Sequence, residues 1–278
     1  MSNFAILGTG LLGSGMTENL LAKGHRVRVW NRSADKLAPL VAKGAIASAN
    51  PQEAIQGAER IHLVLAEDPS VEAVLSQLQI PAGIPVLDHS TSSPQKVAER
   101  TARLRSQGIA YFHAPVFMGP QNCREGTGIM LIAGPQAEAE ALRPGLSEMT
   151  GKLWWVGERP ELAAIHKLHG NALIIGINGV LGDVMTMGET HGLSVEDTLG
   201  LLDHFNPGQM LKMMGPRIAQ RGTGPTSFAL EMARKDVRLM LDTGAPLQIL
   251  PAVAAAMDRA LEEGKAGKDY SVYAWPKR

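Results

Sequence analysis

The chain carries one cysteine, Cys123, and its charges cancel: Lys+Arg and Asp+Glu each total 27. A lone cysteine closes no intrachain disulfide, so the fold does not depend on an oxidising compartment. Balanced charge argues against a nucleic-acid partner held by bulk electrostatics. No uninterrupted apolar run approaches the ~20 residues that cross a bilayer. No basic stretch precedes the first apolar residues, Phe4–Leu7, and these run straight into glycine rather than into an export signal. The expectation is a soluble protein of the reducing cytoplasm with neither nucleic acid nor membrane as partner.

What is present is alternation. Short apolar runs at Phe4–Leu7, Val27–Trp30, Ile61–Leu65, Pro85–Leu87, Ile109–Phe112, Ile129–Ala133 and Leu153–Val156 read as strands. Between them, Leu12–Lys23, Ala34–Ala42, Pro69–Leu78, Pro94–Ser106 and Pro135–Met149 read as helices. Strands of four or five residues alternating with longer helices predict a parallel sheet covered on both faces. From Pro160 to Glu189 the pattern turns into one long helix of nearly 30 residues. Glycines interrupt it, which predicts close packing rather than exposure, and a helix of that length suits a bridge between domains. Ser194–Leu202, Met210–Ala219, Phe228–Thr243 and Gln248–Glu263 follow, all helical. The expected architecture is an α/β Rossmann-type N-terminal domain over 1–159, then an all-α C-terminal domain over 160–278, joined by that helix.

Gly8-Thr9-Gly10-Leu11-Leu12-Gly13 follows the first strand and opens the first helix, the context that makes GxGxxG informative. Gly8 would make the tight turn, Gly10 would admit a pyrophosphate, and Gly13 would let helix and sheet approach. The helix N-terminus offers unpaired N–H groups to the phosphates. At the end of the second strand an NAD site wants Asp or Glu for the ribose diol; here stand Asn31, Arg32 and Ser33. Arg32 can form charge-assisted bonds to a 2′-phosphate, so the expected cofactor is NADP. Lys167 and Asn171, four apart, share one face of the long helix. A desolvated lysine can exchange a proton near neutrality, or stay charged and stabilise a carbonyl oxygen during hydride transfer.

These motifs, in this order, resemble the β-hydroxyacid dehydrogenase family, which includes 3-hydroxyisobutyrate dehydrogenase and the glyoxylate/succinic semialdehyde reductases and is related to 6-phosphogluconate dehydrogenase. Ile6–Met16 is similar to its opening, Asn31-Arg32-Ser33 to its NADP-preferring variant, and Asp88-His89-Ser90-Thr91 with Pro94 to its Asp-x-Ser-Thr-x-x-Pro. Lys167-x-x-x-Asn171 matches its catalytic helix, and Phe228 with Lys235-Asp236 its late motif. The resemblance implies Lys167 as general acid/base with Asn171 as its companion. It implies Thr91 on the nicotinamide side and Lys235 reaching the cofactor from the helical domain. Leu65 and Ala66, at the end of their strand, complete the expected cofactor contacts. It also implies a homodimer or homotetramer.

One segment departs. The family's Asp-Ala-Pro-Val-Ser-Gly-Gly is here His113-Ala114-Pro115-Val116-Phe117-Met118-Gly119. Phe117, Met118 and Gly119 are the expected substrate loop, more apolar than the family's carboxylate clamp. That leaves open a larger or less polar substrate. It also leaves open reduction of an imine, although related imine reductases usually carry Asp or Tyr where Lys167 stands. A dinucleotide-binding scaffold without catalysis is a further alternative. His166 and His169 lack a third metal ligand, Cys123 lacks a base, and Met210, Met213, Met214, Met232 and Met240 read as core filler.

Overall fold

The computed structural model describes residues 1–275. Its elements run β1 (Asn3–Leu7), α1 (Leu11–Ala22), β2 (Arg26–Trp30), α2 (Ala38–Val41), β3 (Ile46–Ala47), α3 (Pro51–Ala54), β4 (Arg60–Leu63), α4 (Asp68–Leu75), β5 (Val86–Asp88), α5 (Pro94–Ser106) and β6 (Tyr111–His113). Then come β7 (Val116–Phe117), α6 (Pro120–Glu125), β8 (Ile129–Ile132), α7 (Gln136–Leu146), β9 (Lys152–Trp155) and α8 (Leu162–Thr190). The helical remainder is α9 (Val195–Leu199), α10 (Leu201–His204), α11 (Pro207–Ala219), α12 (Leu230–Leu241) and α13 (Leu250–Glu262).

Six parallel strands form a sheet of order β3-β2-β1-β4-β5-β6. The chain winds one way from β1 and the other way from β4, so the strand order reverses between these two, where a crevice opens at the carboxyl ends. Along β1, Phe4 and Ile6 enter one core cluster while Ala5 and Leu7 enter another. Alternate residues point to opposite faces, and both faces are dry. Each fully buried Ile or Leu contributes about 1.5–3 kcal/mol. A single sheet was the expectation; the structure has a second one, β7-β8-β9, whose β7–β8 pair is antiparallel.

The chain divides into two compact units, Met1–Asn171 and Ala172–Arg278. Sequence placed the division at 159/160. It falls inside α8 instead, because the first turn of that helix buries Ala163 and Ala164 in the first unit. In the second unit, Leu230, Ala233 and Val237 of α12 meet Ala254, Met257 and Ala260 of α13, stripes of helical spacing that make its core.

Two expectations about the helical half need correction. The apolar residues of α8 are not packed away: Leu173, Ile174, Ile175, Ile177 and Val180 are exposed in this single chain. Met210, Met213 and Met232 are exposed as well, so they are not core filler. By length and composition α8 is also apolar enough to cross a membrane, with a mean hydropathy of 1.2 over its best window. Yet Asp183 on it is buried and accepts the backbone N–H groups of Gln248, Ile249 and Leu250 at 2.7–2.9 Å, which ties the helix to the start of α13.

Candidate active site

The crevice at the sheet's reversal holds a cleft of about 470 Å3. Gly8, Gly10, Asn31, Arg32, Ser33, Leu65 and Ala66, all expected at the cofactor, line it. Gly8 has φ +105°, and a Cβ there would lie 2.2 Å from the Val64 carbonyl oxygen. A Cβ on Gly13 would lie 2.0 Å from the Gly8 oxygen, so helix and turn close on each other as the motif requires. A Cβ on Gly10 would meet nothing within 4 Å; that side is open toward the cleft. Gly10 is the N-cap of α1 and makes no side-chain cap bond, which leaves the first N–H groups of a twelve-residue helix for an anion. Thr9 is buried beside it, Leu11 is exposed at the first helical position, and Leu12 packs on the core. These residues fit a dinucleotide pyrophosphate.

Asn31 braces the turn with its side chain, since Oδ1 accepts from Thr9 N at 3.1 Å and Nδ2 donates to the Ser33 carbonyl. Arg32 and Ser33 remain exposed on the rim. Lys36 also lines the cleft, a residue the motif did not single out although it lies four positions after Arg32 on a helical turn. Among the described residues no Asp or Glu lines this cleft. Thr91 is exposed beyond β5 and is not among the residues lining it. Lys235 belongs to the second unit, exposed on α12 and paired with Asp236 at 2.8 Å.

Lys167 lies on α8 within the first unit, and its Nζ stands 4.4 Å from the centroid of the Phe117 ring. Burial holds its pKa below the ordinary lysine value. Asn171, one turn on, is half-buried. Met118 packs against the core, where Cys123 is buried with its thiol pushed up to about 11 by desolvation and therefore protonated.

Behind the loop runs a chain of buried groups that sequence did not reveal. Arg60 Nε donates to His62 Nε2 at 2.9 Å. A guanidinium only donates, so His62 carries its proton on Nδ1 and donates to His89 Nε2 at 2.8 Å. His89 Nδ1 then donates to the Ala114 carbonyl at 2.6 Å, three residues before Phe117. His113 donates from Nε2 to Ser90 O. Burial holds all three imidazoles below their ordinary pKa, His89 at about 4. The unfolded chain protonates them near 6.5, so between pH 6.5 and 4 it binds more protons than the fold does. Stability therefore falls as pH drops through that window, by about 3 kcal/mol for His89 alone. Urea unfolding at pH 7.5 and pH 5 checks this; equal midpoints would contradict neutral buried histidines.

Residues 3–157 match the family described as the NAD binding domain of 6-phosphogluconate dehydrogenase. The chain is 27% identical over 281 residues to the 3-sulfolactaldehyde reductase of Escherichia coli (strain K12), covering 98% of this chain and 94% of that one. It is 27% identical over 268 residues to glyoxylate/succinic semialdehyde reductase 1 of Arabidopsis thaliana, covering 94% and 91%. It shares the fold of a reductive aminase from Aspergillus terreus solved with NADPH and ethyl-5-oxohexanoate: TM-score 0.88, 24% identity, 98% of each chain covered. The cleft, the glycine turn and these relationships agree, and the chain belongs to the β-hydroxyacid dehydrogenase family, as an NAD(P)-dependent oxidoreductase.

Proposed function

We propose that this chain is an NADP(H)-dependent reductase that interconverts a carbonyl compound (an aldehyde, a ketone or an oxo acid) and its alcohol, with Lys167 as proton donor and acceptor. The observation that carries the reading is Lys167 itself: half-buried, lowered in pKa, and held over the Phe117 ring. The bound nicotinamide supplies or accepts the hydride. Lys167 Nζ gives its proton to the carbonyl oxygen in reduction and takes it back in oxidation. Asn171, one turn along the same stripe, orients the lysine or the substrate oxygen. Gly8–Gly13 and the α1 N-terminus hold the pyrophosphate; Arg32, Ser33 and Lys36 hold the 2′-phosphate; Leu65, Ala66, Thr91 and Lys235 complete the cofactor contacts.

NADP preference is supported by two cations and no acid at the cleft. A charge-assisted bond is worth about 1.5–3 kcal/mol, so Arg32→Ser is expected to raise the Kd for NADPH by roughly 10–100-fold and leave NADH binding unchanged. Fluorescence titration of wild type and variant with both cofactors checks it. Equal wild-type affinities would remove the preference; binding of neither would remove the reading.

The protein works as a soluble homodimer or homotetramer in the cytoplasm, without membrane or nucleic acid, on this reading. Its support is the exposed apolar face of α8, where Leu173, Ile177 and Val180 line a groove of about 630 Å3 running to Phe205 and Leu211; contiguous exposed apolar surface of this kind marks an interaction site. A second copy covers it, and a monomeric mass in light scattering would overturn that. Imine reduction is the second reading, favoured by the apolar Phe117 and opposed by Lys167; turnover of cyclic imines but not aldehydes would favour it.

A further inference from the structure

The turn after β7 carries an aromatic ring and a thioether, and the N–H of Gly119 is already bonded within it. At position 117 a phenyl ring lies beneath the Lys167 ammonium, 4.4 Å from Nζ to centroid. The ring fits a notch on α8 that glycine keeps open: a Cβ on Gly170 would stand 2.3 Å from its Cζ and 2.5 Å from its Cε1. It also packs on the cluster of Leu131, Ala133 and Ala163. Met118 turns toward the core, its Sδ 3.9 Å from Cys123 Sγ, and a Cβ on Gly128 would meet its Cγ at 2.9 Å. The Gly119 N–H donates to Asn122 Oδ1 at 2.9 Å, and Asn122 Nδ2 donates to Thr127 Oγ1 at 3.0 Å. The side chains of the turn therefore offer a wall of ring and no hydrogen-bond donor, and the N–H of Gly119 is spent.

We infer that Phe117 determines specificity: it seats the Lys167 ammonium and walls the substrate subsite with an apolar face, so that the preferred substrate is a neutral aldehyde or ketone and not an oxo acid. The inference rests on Lys167 being the proton donor, as proposed above. A cation over a ring face is attracted without using its N–H groups, so all three stay available to the carbonyl oxygen. A substrate carboxylate would lose water against the ring and find Lys167 as its partner in the turn's neighbourhood. The lysine could then not serve the reacting oxygen as well. A neutral alkyl substituent meets no such conflict.

Butanal and 4-oxobutanoate form the matched pair, differing in a terminal methyl against a carboxylate. With saturating NADPH, the wild type is expected to show kcat/KM at least ~10-fold higher for butanal. Phe117→Ser should narrow or invert that ratio. Phe117→Leu should keep it but lose the ring face; the lysine's charged form is then less favoured, so the alkaline limb of the kcat profile for reduction moves to lower pH. Should Phe117→Ser fail to bind NADPH, the wild-type ratio and the pH shift of Phe117→Leu decide. A wild type faster on 4-oxobutanoate, a ratio unmoved in a folded Phe117→Ser, or an unmoved limb in Phe117→Leu would overturn the inference while leaving the reductase reading intact. Reduction of neither aldehyde by a protein that binds NADPH would overturn the reading beneath it, and the inference with it.

Discussion

Lys167→Ala should lower kcat by ~10²–10⁴-fold, the usual worth of a positioned proton donor. NADPH affinity should be retained, because Lys167 is not among the residues that line the dinucleotide cleft. The chemistry explains the size of the effect. Partial burial lowers the lysine's pKa, so the ammonium is a better acid than one in water, and its position over Phe117 limits where it can point. Lys167→Arg should be nearly as slow, since a guanidinium keeps its charge and does not give up a proton. Steady-state turnover on the best aldehyde, with a parallel cofactor titration, separates lost chemistry from lost binding. Near-normal turnover by the alanine variant would remove Lys167 from the reaction.

Arg100→Met should cost about 3–5 kcal/mol of stability, the penalty for leaving a buried charge without its partner. Arg100 on α5 is 1% exposed. It donates to Asp68 at 2.6 Å, to Glu72 at 2.8 Å, to Asp88 at 3.3 Å and to the Tyr111 hydroxyl at 3.2 Å. Asp88 is fully buried at the end of β5, and without the arginine it keeps Tyr111 Oη, at 2.6 Å, and the Ser90 N–H, at 3.0 Å, but no cation. Methionine fills the volume of the stem, so the loss reports the charge network rather than a cavity. Scanning calorimetry should show the apparent Tm lower by roughly 10 °C; a change within a degree or two would mean that the network around Arg100 contributes little to stability.

The alternation of strand and helix was legible because each long element carries its own period. Pro94–Ser106 coincides with the observed helix, and the 29-residue α8 begins and ends within two residues of its expected limits. β3 and β7 were missed because two residues, Ile46–Ala47 and Val116–Phe117, are too short to show any alternation. Missing β7 hid the second sheet. The glycine turn was legible because its chemistry is local: Gly8 and Gly13 meet within six residues. Phe117 and Lys167, 50 positions apart, come together by tertiary packing, and so do Arg100 with Asp68 and His62 with His89. No short window along the chain contains such pairs. The exposure of α8 escaped for another reason. An apolar helix reads the same whether its own chain or a second copy covers it.

The chain of donors from Arg60 through His62 and His89 to the Ala114 carbonyl also constrains how this sequence can change. Each imidazole accepts at one nitrogen and donates at the other, and the guanidinium sets the direction for both. Replacing His62 alone orphans Arg60 Nε and His89 Nε2 together; replacing His89 alone orphans His62 Nδ1–H and frees the Ala114 carbonyl. Positions 62 and 89 are therefore epistatic: a change at one is tolerated chiefly when the other changes with it. Lineages that change one of these histidines should change the other as well, and with them the hydrogen bond that anchors the Ala114 carbonyl three residues before Phe117.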